Sequence, residues 1–383
     1  MKYILYIRFM KTYIIKTMWL LIIFIAIIII IALVFSHHPL FGKAPHGERL
    51  DKIEQSKNYA SGQFQNLSHT PSFTKGVNYW TVLREMFFSK VPSTKPTDSI
   101  PSVKTDLHKL VDQDDIMVWF GHSSYFIKTS GKNFLIDPVL TKNASPIINT
   151  NNAFKGADIY SYEDIPSIDY LIITHDHYDH LDYTTFKNIK DKVKLIICPL
   201  GVGSHLEYWK YPSNQIIELD WWESHDLTNE IKITSTPTRH FSGRSIKRNN
   251  TLWSGYVLKS ASLNLYIGGD SGYDSHFKTI GDKFGPFDIA MLENGQYDYK
   301  WKYIHTLPEE VVQASKDLQA DTFFPIHNSK FKLANHSWKE PLDKIYEIAS
   351  KDSTLKMIHP KIGEIIDLKY KQQSFDKWWE EIN

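Results

Sequence analysis

Residues 170–182 read YLIITHDHYDHLD. An apolar, β-branched run ends at Thr174, and ligand-type side chains begin at once. A strand that stops in a loop fixes where the loop starts and leaves its side chains free to act, so chemistry concentrates there. His175 and His177 stand two apart, and in an extended segment such residues point the same way, so both imidazoles can share one ion. The loop then turns, and Asp179 and His180 can face a second ion nearby. Imidazole and carboxylate suit zinc, and also iron or manganese. A solvated histidine-rich turn would read the same way, and these residues alone cannot close two metal sites. The decision therefore rests on what the rest of the chain adds.

Three separated strand ends each add one ligand-type residue. His240 follows IKITST (231–236) in TPTRHFSG, Asp270 ends LYIGGD (265–270), and His327 follows TFFPI (322–326). Gly268 and Gly269 permit close backbone approach beside Asp270. Singly, each is a satisfied histidine or a capping aspartate. Together, in this order, they predict one metal centre.

Further strand-like runs are IMVWF (116–120), YFIKT (125–129), NFLID (133–137), KLIIC (194–198), LWSGYVLK (252–259), LNLYIGG (263–269) and DIAML (288–292). Helical stretches are predicted over 183–190, 202–209, 308–318 and 342–349. Pro308 followed by Glu309 and Glu310 suits a helix start. Many strands with few helices between them predict an α+β domain, two mixed sheets with helices outside.

Outside this block, residues 17–35 (TMWLLIIFIAIIIIIALVF) carry no charge. At 1.5 Å per residue the run crosses a bilayer core of roughly 30 Å. Lys2, Arg8, Lys11 and Lys16 precede it without an acidic residue. The expectation is a basic cytoplasmic leader (1–16), a single transmembrane helix (17–35) and an extracytoplasmic remainder. A cleaved signal peptide and, after it, a buried core helix are the alternatives. Residues 36–114 lack periodicity and read as a linker and extended arm lying on the domain, with a short helix at 83–88. The catalytic domain is expected over 115–383.

The chain of 383 residues balances 44 basic against 43 acidic groups, so charge gives a nucleic-acid partner no support. Its one cysteine, Cys198, allows no internal disulfide and reads as a small buried hydrophobe.

The order H-x-H-x-D-H, then His, then Gly-Asp, then His resembles the metallo-β-lactamase superfamily. That resemblance implies a four-layer αββα sandwich. It implies that His175, His177 and His240 bind one metal, that Asp179, His180 and His327 bind the other, and that Asp270 bridges them. Antibiotic-degrading members usually place a cysteine in the second site; Cys198 is far from any ligand position, so β-lactam hydrolysis is not expected. The stretches WFGHSSYFIKTSGKNFLIDPVL (119–140), TPTRHFSGR (236–244), GGDSGY (268–273) and the H-x-x-P-E at His305, together with the arm segment 42–66, resemble the N-acylphosphatidylethanolamine phospholipase D group and its bacterial relatives. What this implies is a hydrolase with two divalent ions, most readily Zn2+, acting on a phospholipid or small-molecule phosphodiester through a metal-bridging hydroxide; the apolar run 17–35 adds the expectation of a membrane anchor. Asp179 and Asp270 would be its catalytic carboxylates and His305 a substrate-contacting acid, or else a surface histidine before a helix. A lactonase and a catalytically inactive, tethered metal-binding protein are the rival readings. Asp182 is expected to support a ligand histidine through its second ring nitrogen. Arg239 and Arg244 are read as anion contacts or surface charges, His122 as lining the site or making a structural hydrogen bond, and Asp137 as holding a turn before Pro138. Trp221, Trp222, Trp253 and Trp301 are read as an acyl groove or as core.

Overall fold

The computed structural model describes all residues except 1, 89–90, 148, 246 and 371. Residue 1 of the leader and residues 89–90 of the arm therefore lie outside the description. The first helix, α1 (Lys2–Ser36), is longer than the apolar run, because the basic leader is helical too. Its stretch Tyr6–Ser36 is long and apolar enough to cross a membrane and buries none of its length against the protein.

The arm follows: α2 (Glu48–Glu54), a small hairpin β1 (Tyr59–Ala60) and β2 (Gln63–Phe64), and α3 (Tyr79–Phe88). It binds the domain chiefly by charge and packing. Arg49 reaches Glu207 at 2.8 Å and Glu218 at 2.7 Å. Ile53 and Phe64 enter a small core with Trp221 and Trp253.

The domain is two mixed sheets face to face. The first contains β3 (Ile116–Trp119), β4 (Tyr125–Thr129), β5 (Lys132–Ile136), β6 (Ile168–Ile172), β7 (Val193–Pro199) and β8 (Ile216–Leu219) in sequential order, with the late strand β15 (Ile365–Asp367) paired beside β3. The second runs β9 (Ser224–Asp226), β10 (Lys232–Thr236), β11 (Gly255–Lys259), β12 (Asn264–Ile267), β13 (Phe287–Glu293), β14 (Ala320–Ile326). Within the sheets, β5 to β8 and β12 to β14 pair in parallel, and parallel strands need covering on both faces.

Strand alternation builds the layers. Along β4, Tyr125 and Ile127 face the core between the sheets, while Phe126 faces outward beneath α4 (Tyr183–Ile189) and α5 (Gly203–Tyr208). Along β13, Ile289 and Met291 face inward, and Ala290 and Leu292 meet α6 (His276–Phe284), α7 (Pro308–Asp317) and α8 (Glu340–Ala349). A period of two with both faces apolar therefore yields helix, sheet, sheet, helix. The expected αββα sandwich is the fold, and Cys198 is buried in its outer layer.

Candidate metal centre

Ligands and cofactors gather beyond the carboxyl ends of parallel strands, where loops diverge. Four such ends converge here: after β5 comes Asp137, after β6 His175 to His180, after β12 Asp270, and after β14 His327. The antiparallel β10 adds His240 beyond its own end. His122, Asp137 and His327 have φ values of 56°, 41° and 68°, a region non-glycine residues seldom occupy. Strain of this kind concentrates where side-chain aim matters more than backbone comfort.

Every donor the sequence nominated falls in one cluster. His175, His177 and His240 place ring nitrogens within 4.8 Å of one another. His175 Nε2 and His240 Nε2 lie 2.9 and 3.2 Å from the same atom, His177 Nδ1. A second group joins Asp179, His180 and His327, and His122 with them. Asp270 stands between the groups, 3.9 Å from His175 and 3.7 Å from His240 on one side, and 3.3 Å from His180 and 3.1 Å from His327 on the other.

The second ring nitrogens are held, which fixes where the first ones aim. His240 Nδ1 sits 2.8 Å from the Ile304 carbonyl. His180 Nδ1 sits 2.8 Å from Asp137 Oδ2, and His327 Nδ1 sits 2.8 Å from Ser123 Oγ. The backbone of His240 is clasped on both sides by Asn66 of the arm, which accepts from its N–H at 3.1 Å and donates to its carbonyl at 2.8 Å.

Does the cluster suit metal ions? His180 Nε2 and Asp270 Oδ1 are buried 3.3 Å apart without a well-directed hydrogen bond to either, an arrangement that a bound cation would relieve. Burial drives His175, His240 and His327 well below the ordinary histidine range and lowers His177 as well, so these rings are neutral, as ligation requires. Against the same burial, Asp270 and Asp179 raise His180, which would carry the proton that an ion replaces. Converging neutral imidazoles around a buried carboxylate fit divalent ions well.

A cavity of about 370 Å³ opens over the cluster. Asp179, Asp270 and His305 lie on its floor, and Phe73, Phe241, Trp301 and Leu333 line its apolar wall. His305 faces it, with Nδ1 2.8 Å from Glu293 Oε2. Glu293 also accepts from the Thr306 hydroxyl and N–H. Burial opposes the charged ring, but Glu293 raises His305 above the ordinary histidine range and so favours its protonated form.

Several supporting roles differ from those the sequence suggested. Asp182 supports no ligand; it caps α4 by accepting from Thr184 and Thr185. Asp137 does that work instead, and it also ties the end of β6, accepting from the Thr174 N–H at 2.8 Å. Arg244 is buried and donates to the carbonyls of Leu40, Asp176 and Leu181, with its plane over Tyr178. Arg239 donates to the arm at His69 and Thr70. Neither faces the cavity. The guanidinium that does is Arg248, which the sequence reading passed over. His122 touches Asp179 at 2.8 Å, so it is both buried and part of the centre. Of the four tryptophans only Trp301 lines the cavity; Trp221 and Trp253 are core beneath the arm, and Trp222 stacks on Phe284. Glu293 was also missed, although an acid ending the run DIAML was the available signal. For Asn66 no signal existed.

Residues 132–328 match a family model described as the beta-lactamase superfamily domain. An uncharacterised protein of Mycobacterium tuberculosis is 33% identical, over 82% of this chain and 85% of its own. The N-acyl-phosphatidylethanolamine-hydrolyzing phospholipase D 1 of Caenorhabditis elegans is 31% identical, over 79% of this chain and 90% of its own. Among solved structures, the metallo hydrolase Igni18 of Ignicoccus hospitalis superposes with a TM-score of 0.51 at 19% identity, over 66% of this chain and 97% of that one.

Proposed function

Because this chain belongs to the metallo-β-lactamase superfamily and is a metal-dependent hydrolase, we propose that it cleaves phosphodiester bonds of phospholipids at a membrane surface, in the manner of an N-acylphosphatidylethanolamine phospholipase D. The observation that carries this reading is the pairing of a two-lobed His/Asp cluster with an apolar-walled cavity that has an arginine at its rim. In this reading His175, His177 and His240 hold one ion, Asp179, His180 and His327 hold the other, and Asp270 spans both. Zinc suits these donors. Bound ions would supply Lewis acidity and an acidified water.

The chain's own groups supply the rest. Arg248 at the rim meets the anionic phosphodiester. Trp301, Phe73 and Phe241 take the acyl portion and exclude water. His305, kept protonated by Glu293, faces the cavity and can donate to the departing oxygen. α1 anchors the chain as a single span, with the basic leader cytoplasmic and the domain on the other side.

The test uses the full chain loaded with zinc. We expect turnover of bis-p-nitrophenyl phosphate and of N-acyl-phosphatidylethanolamine, and loss of both in Asp270→Ala. Hydrolysis of a lactone without any phosphodiester turnover would overturn the reading.

A further inference from the structure

We infer that the face carrying the catalytic mouth docks on an anionic phospholipid bilayer, through the exposed aromatic side of α3 and a lysine-lined cleft beside it that receives headgroup phosphate. This rests on the anchoring reading of α1 given above.

Three openings run side by side across this face. Phe35 and His38, at the foot of α1, line one cavity together with Tyr178. Tyr178 also borders the catalytic cavity. Trp301 and Leu333 on the far wall of that cavity are shared with a third cleft of about 290 Å³, closed by Val82 and Glu85 of α3. The catalytic mouth therefore lies between the foot of α1 and α3. If α1 enters a bilayer, α3 and the mouth are held next to the same surface.

α3 has one side for the protein and one for that surface. Its inner side is tied down by Glu85, 2.9 Å from Lys300. On its outer side Tyr79 and Trp80 are 59 and 80% exposed, and Leu83 lies between them around the helix axis at 42%. At 100° per residue, positions 79, 80 and 83 share one stripe. Tryptophan and tyrosine favour the bilayer–water boundary, where an apolar ring and a polar edge are both satisfied. An apolar patch of this size beside a hydrolase mouth calls for an occupant.

The cleft supplies the charge that selects the occupant. Lys95 and Lys332 both line it, and neither forms an ion pair among the described residues. Burial, and then the neighbouring Lys95, make the Lys332 ammonium less favourable than usual. Two like charges left to face each other gain most from a shared anion. Each lysine near an anionic leaflet strengthens binding by about 5-fold.

The experiment reads depth directly, in the full chain reconstituted into nanodiscs. A cysteine introduced at Trp80 (W80C) or, with the tryptophan intact, at Arg84 (R84C) takes a fluorophore, while buried Cys198 does not. K351C, in the turn that follows α8, serves as the distant control. Nitroxide-bearing lipids should quench the labels on α3 and spare the control. Quenching should rise several-fold when a third of the lipid is phosphatidylglycerol, and K95Q/K332Q should remove that rise. Equal quenching at α3 and at the control, or a rise that survives K95Q/K332Q, overturns the proposal. So does quenching that ignores phosphatidylglycerol. A chain that stays out of the discs removes the anchor and this docking with it. Because no turnover is measured, failure of the phospholipase reading leaves these outcomes unaffected.

Discussion

At the residue scale the centre is a problem in aiming. His180, His240 and His327 each have one ring nitrogen held by Asp137, Ile304 or Ser123, and these partners are as specific as the donors. Asp137 is the sharpest case, since it orients His180 and pins the strand end that carries His175. Asp137→Ala is expected to weaken metal binding by about 10- to 100-fold, the usual cost of losing such a support. Competition with a chromogenic chelator measures it. Asp270→Ala, which removes the carboxylate common to both lobes, is expected to lower turnover by at least 1,000-fold (~4 kcal/mol of transition-state stabilisation), read as kcat/KM on a soluble phosphodiester. The donors themselves were legible, because each sits at the end of an apolar strand and such junctions can be seen in one dimension. Their supports were not. Asp182 stands two residues from His180 and looks like the natural partner, whereas Asp137 lies 43 positions away and reaches it only because β5 and β6 are neighbours.

At the element scale the arm is the least regular part and among the best fastened. Arg49 is shared by Glu207 and Glu218, with Glu218 almost wholly buried. Removing one partner of such a group strands the others, so Arg49→Ala is expected to cost roughly 3 kcal/mol, measured by chemical denaturation. The same contact makes a pH prediction. Glu207 is held below its ordinary value of 4.5, first by its hydrogen bond to Arg49. A depressed carboxylate stabilises fully above its unfolded value and loses that contribution as pH falls through the folded one. Arm release, followed by limited proteolysis, should therefore begin below about pH 4.5 and shift to neutral pH in Glu207→Gln. Strands with alternating apolar faces were found from the sequence. The short β8, β9 and β15 were not, because three or four residues are too few to show a period, and α6 escaped because its polar residues hide a narrow apolar stripe.

At the scale of the whole molecule, stability and metal content are linked. Ions that bind the folded centre and not the unfolded chain stabilise it by about 4 kcal/mol at a thousandfold excess over Kd. Chelation should abolish hydrolysis and lower Tm by on the order of 10 °C, with both restored by added zinc. Two sheets with helices outside were legible from many strands with few helices between them, and the αββα order followed from the resemblance carried by the ligand pattern. The path of the first hundred residues was not, since an aperiodic arm is positioned by the surface it meets.

That path sets where the polypeptide can be shortened. A fragment beginning at residue 115 would keep each histidine and aspartate of the centre, yet it would lack Asn66, whose side chain brackets the His240 peptide, and Leu40, whose carbonyl takes up the buried Arg244. The apolar helix and the scaffold thus part company just after Ser36: a fragment meant to keep the centre intact should drop the greasy rod and nothing beyond it.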